Sequence, residues 1–93
     1  MKDRFFLLKS MSNDCVGLLA YSKCGRDRKR LFCVIDRLDE DFVLIADGNL
    51  HKTESPKKKR LKHLSFVSDM RISLPIGNGE LYKCINEYEL TLR

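Results

Sequence analysis

Tryptophan is absent from this 93-residue chain, proline occurs twice, and aromatic residues of all kinds make up 9% of it. Modules that hold extended peptides line a groove with exposed rings, so this chain is poorly supplied for that task; a protein-interaction module that docks a peptide or protein remains the alternative reading. Long apolar runs are missing too. Nothing approaches the roughly 20 residues that span a bilayer, and no membrane partner is expected. The N-terminal apolar patch is confined to Phe5–Leu8 with no small-residue cleavage site after it, so no secretory signal is read there. The four cysteines, Cys15, Cys24, Cys33 and Cys84, lack the short gap by which a tight turn presents two thiolates to one zinc. They read as free thiols of a reducing, cytoplasmic compartment, with no metal and no cofactor. The parts of an enzyme are also missing. There is no nucleophile with a base and an orienting acid and no glycine-rich phosphate loop, and Asp36, Asp39, Glu40 and Asp41 are bunched as a solvated connection would be. Catalytic residues and a small-molecule substrate are therefore not expected.

Basic charge is what the chain has in excess, and it is unevenly spread. Lys+Arg number 18 against 13 Asp+Glu, a formal net charge of +5. Lys23, Arg26, Arg28, Lys29 and Arg30 face only Asp27 in one stretch, and Lys52, Lys57, Lys58, Lys59, Arg60 and Lys62 face only Glu54 in another, leaving the rest of the chain net negative. Two dense cationic segments suit a polyanionic partner better than a uniform surplus would.

Between and around them the chain alternates short apolar runs with polar turns. Val16–Ser22, Leu31–Asp36 and Phe42–Ala46 have strand length and composition, and Asp39–Asp41 marks a tight connection between the second and third. Asp47-Gly48 predicts a two-residue hairpin leading to a short fourth strand near Asn49–Lys52. Residues 53–59 read as a polar connection, and Arg60–Val67 as a fifth strand that begins with a turn or bulge. Five short antiparallel strands make a small barrel, whose closure removes exposed edges. Pro75, Gly77 and Gly79 mark a linker. Beyond it Leu81, Cys84, Ile85, Tyr88 and Leu92 fall on one helical face, with Asn78 as the expected cap and Glu80 in the first turn. The predicted organisation is a mainly β barrel over 14–67, a linker over 68–77 and a C-terminal helix over 78–93. That helix either packs on the barrel or docks a partner.

The ordered set "GLLAYSKCGRDRKRLFCVIDRLDEDFVLIADG" continuing into "PKKKRLKHL" resembles the KOW domain of eukaryotic-type and archaeal large-subunit ribosomal proteins and of small stand-alone bacterial KOW-domain RNA-binding proteins. A strand ending at Ser22-Lys23, a basic loop with Gly25, an apolar strand, an acidic turn, a strand closing on Asp47-Gly48 and a basic segment ending in Lys62-His63-Leu64 all match in order, over roughly half of the chain. The resemblance implies a five-stranded SH3-like barrel with RNA gripped by the loops at one end. It further implies a ribosome-associated, cytoplasmic protein whose partner is ribosomal RNA; ribosomal proteins are an expected partner of the C-terminal helix, which lies outside the matched stretch. The sequence departs from the family at Lys29, where a second glycine usually stands; a positive φ there would strain the lysine.

The residues expected to touch RNA are Lys23, Arg26, Arg28, Lys29, Arg30, His51, Lys52, Lys57, Lys58, Lys59, Arg60 and Lys62. Arginine forks hold phosphate with two prongs, and lysine holds it as a point charge without choosing a base. Tyr21 beside the first loop is a candidate for stacking on an unpaired base, whereas Phe32 is expected in the core. "PKKKRLK" also looks like a nuclear address, but such signals are extended and accessible, and this one runs into a strand.

Overall fold

Residues 31–35 form a continuous apolar run because both faces of that stretch are covered, and in Phe42–Ala46 the residues Val43, Ile45 and Ala46 are buried. The computed structural model describes residues 15–26 and 28–91; the Phe5–Leu8 patch, Asp27 and Leu92 lie outside them. The described strands are β1 (Leu18–Ser22), β2 (Leu31–Arg37), β3 (Phe42–Ala46), β4 (Lys57–Arg60) and β5 (Leu64–Arg71), followed by one helix, α1 (Asn78–Thr91). They form one antiparallel sheet in the order β4-β3-β2-β1-β5, curled into a small SH3-like barrel. Ala20, Phe32, Val34, Val43, Ile45 and Leu64 fill its inside. The alternate residues Leu19, Leu31, Cys33 and Ala46 point outward and are covered by Leu81 and Ile85 of α1. Period-2 alternation in β1 and β2 thus feeds two apolar clusters, one on each face of the sheet. Phe32 is wholly buried, as expected. Burial, and behind it the nearby Cys84 thiol, pushes the Cys33 thiol up to about 12, so Cys33 acts as a small hydrophobe.

The acidic turn between β2 and β3 is as tight as its composition predicts. The Asp39 carboxylate accepts the backbone N–H groups of Asp41 and Phe42, each at 2.8 Å, and these bonds hold its pKa below the usual value.

Three expectations fail in detail. No strand occupies Asn49–Lys52. The Asp47 carboxylate instead accepts the N–H groups of Asn49 and His51 at 2.9 and 3.0 Å and closes a wider loop, in which Asp47 N–H donates to the His51 carbonyl at 2.8 Å. The fourth strand is the lysine run itself, Lys57–Arg60, paired along β3. A 3₁₀ turn over Leu61–His63 then leads into β5, the local irregularity foreseen at that strand's start, and β5 runs on to Arg71, inside the stretch read as linker. Asn78 does not cap the helix. It lies within the first turn, where its carboxamide oxygen accepts the Thr53 N–H at 2.8 Å and its nitrogen donates to the Glu54 carboxylate at 2.7 Å.

The apolar face of α1 lies on the sheet: Leu81 and Ile85 are buried, and the Tyr88 hydroxyl donates to the Val67 carbonyl at 3.1 Å. At φ +80° Gly48 backs onto the start of this helix. A Cβ there would overlap the Asn78 carbonyl oxygen and sit 3.0 Å from the Tyr82 nitrogen. Gly48 is required twice over, by its conformation and by the helix behind it.

Candidate nucleic-acid interface

The first basic segment is a hairpin loop on a rigid base. Ser22 N–H donates to the Arg30 carbonyl at 3.1 Å, Lys29 N–H to the Ser22 carbonyl at 2.9 Å and Arg28 N–H to the Gly25 carbonyl at 3.2 Å, while the Ser22 hydroxyl ties back to the Cys24 carbonyl at 3.0 Å. Lys23, Arg26, Arg28, Lys29 and Arg30 are all exposed on it. Lys29 adopts φ +70°, so the departure from the usual glycine leaves the left-handed backbone in place.

The second segment is split by the pleat of β4. Lys58 and Arg60 stand on one side, 4.5 and 4.7 Å from the Phe42 ring centre, where they stack on its face as cations. Lys57 and Lys59 point to the other side, opposite Ile45 and Val43. Lys59 is buried, and its ammonium donates to the Cys24 carbonyl at 3.2 Å, which spends that lysine on joining β4 to the first loop. A second stitch runs from Lys23 N–H to the His63 carbonyl at 2.8 Å. The two segments, some thirty residues apart in sequence, therefore meet at one end of the barrel. His51 and Lys52 belong to the loop closed by Asp47, near the start of α1. The His51 backbone is fixed by Asp47, and its ring packs 5.7 Å from that of Phe32.

His63 reports the field where the segments meet. Its pKa is held below the ordinary imidazole value, first by partial desolvation and then by Lys62, Lys59, Arg60 and Lys23. A folded pKa below the unfolded one means that the folded state binds the proton less readily. Stability is then intact above the ordinary imidazole range and falls as pH drops through it. Thermal melts taken from about pH 7.5 to about pH 5.5 should show a declining Tm, with a shallower decline in His63→Gln. The same slope in both proteins would remove His63 from the account.

Neither the Lys59–Cys24 tie, nor the Phe42 face, nor the position of His63 can be read from the sequence, since each depends on which strand pairs with which. Phe42 did carry a faint signal as an aromatic opening a strand after an acidic turn. Among the described residues no group of three or more His, Cys, Asp or Glu side chains is placed to hold a metal, and no helix is long and apolar enough to cross a membrane.

A curled five-stranded sheet with a loop-borne cationic end is a KOW-type, SH3-like barrel. No protein-family model matches the chain. It is 30% identical over 78 residues to large ribosomal subunit protein eL14 of Desulfurococcus amylolyticus, a match covering 82% of this chain and 80% of that protein. The chain belongs to the eL14 family of large ribosomal subunit proteins.

Proposed function

We propose that this protein binds ribosomal RNA without catalysing a reaction, as a constituent or associate of the large ribosomal subunit. One observation carries the reading: the two basic segments, which hold all of the chain's excess positive charge, are stitched together through Lys59 and Lys23, leaving Arg26, Arg28, Lys29, Arg30 and Lys62 exposed beside one another's segments. Phosphates of a folded RNA meet such a surface at several points, and each contact releases condensed counterions. Lys58 and Arg60 extend it along the outside of β4, and Tyr21 offers a ring beside the first loop. Membership of a family named for the large ribosomal subunit supports this partner over a peptide. So does the scarcity of exposed rings, which among the described residues are Phe66 on β5 and Tyr82 on α1.

Affinity for large-subunit RNA fragments measured across salt concentrations tests it. With five or so contacts at about 0.9 each, log K should fall against log salt with a slope of roughly −4. A slope near zero would rule out the electrostatic grip.

A further inference from the structure

Among the described residues Lys29 is the one non-glycine residue at positive φ. That conformation pushes Cβ toward the following carbonyl, a strain glycine escapes. The backbone holds it there with the Lys29–Ser22 and Ser22–Arg30 hydrogen bonds. A strained lysine on an exposed loop, where glycine would sit at ease, points to a task for its side chain.

The surroundings specify that task. Tyr21, Ser22, Lys23, Arg28 and Lys29 line an open cleft of about 610 Å³. Tyr21 is half-buried against the outward cluster of Leu19 and Leu31, so its ring is fixed in the cleft wall. Its hydroxyl makes no hydrogen bond among the described residues, unlike that of Tyr88. Ser22 is buried and its hydroxyl is occupied by Cys24. The cleft therefore offers one anchored aromatic ring, one uncommitted phenol and three exposed cations. A flat aromatic group carrying anions would fit it, with its plane against the ring and its charges against Lys29 and Arg28. A fully paired helix shows only phosphates to such a cleft, because its bases are stacked away.

We propose that this cleft is a subsite for a single unpaired nucleotide, the base resting on Tyr21 and its flanking phosphates held by Lys29 and Arg28. The inference rests on the RNA reading of the basic end and narrows it to RNA with a bulged or looped-out base at this point. Lys29 is a phosphate-binding residue of this subsite, and the left-handed backbone sets where its ammonium stands.

The probes are two synthetic RNA hairpins, one fully paired and one with a single-nucleotide bulge in the same stem. Wild-type protein should bind the bulged hairpin about tenfold more tightly, the scale of one base–aromatic stack. Tyr21→Leu keeps the apolar packing and should erase the preference while leaving paired-stem binding and its salt slope in place. Lys29→Gly relieves the backbone and should raise Tm by roughly 4 °C, yet also erase most of the preference; because this variant is expected to be more stable than the parent, unfolding cannot explain that loss. Equal wild-type affinity for the two hairpins, or a preference surviving both substitutions, overturns the subsite and leaves the electrostatic grip standing. Absence of salt-dependent binding to either RNA overturns both.

Discussion

Replacing Gly48 with alanine should lower Tm by more than roughly 10 °C, the largest loss expected from adding a single methyl group to this chain. Two penalties act together. A residue with a Cβ pays about 1–2 kcal/mol to hold a left-handed φ, and the new atom collides with the Asn78 carbonyl, part of a helix whose Leu81 and Ile85 are locked into the sheet. To relieve the collision the helix must lift, uncovering Leu19, Leu31 and Cys33. The loop cannot retreat either, because the Asp47 carboxylate grips Asn49 and His51 just beyond. Gly79→Ala is the internal control. A Cβ there meets nothing within 4 Å, and the position is helical, so that variant should gain about 0.5–1 kcal/mol. A Gly48→Ala protein that melts like wild type would mean that α1 does not rest on this loop.

The second large effect is on binding. Reversing Arg26, Arg28 and Arg30 to glutamate should weaken RNA affinity by about two to three orders of magnitude near 0.1 M salt and flatten the salt slope by close to 3 units. The thermal melt should barely move, since all three side chains are exposed on a loop whose shape is set by backbone hydrogen bonds. Filter binding and calorimetry on the same preparations separate the two readouts. Collapse of the fold would show that these arginines are structural, and unchanged affinity would show that RNA does not reach this loop.

Much of the barrel was legible because burial writes itself into composition. β2 and β3 are apolar on both faces and were placed to within a residue or two. β4 was not, since a strand spelled Lys-Lys-Lys-Arg carries no apolar alternation; it is extended because β3 offers it a backbone edge and Phe42 offers its cations a ring. Asp47-Gly48 signalled a tight hairpin, but the aspartate side chain can close a wider loop as well, and what decides is the helix packed behind Gly48. The carboxamide of Asn78 was equally free, as a sequence, to cap its own helix or to bind residues 53 and 54. Both basic segments were legible by charge alone. Their meeting was implied only by the family resemblance, and the division of labour within the second, with Lys59 buried and Lys58 and Arg60 outside, follows from a pleat register that no local pattern announces.

β1 is bonded along both of its edges, Tyr21 lying opposite Leu31 on one side and Ser65 on the other. That has a kinetic consequence. Strands β1 to β4 are laid down beside their sequence neighbours, whereas β5 must travel back over about forty residues to find β1, an entropic cost that grows with the logarithm of the loop. During synthesis the outer edge of β1 therefore stays bare until β5 has emerged, and the return of β5 covers it, leaving β4 and β5 as the borders of the finished sheet.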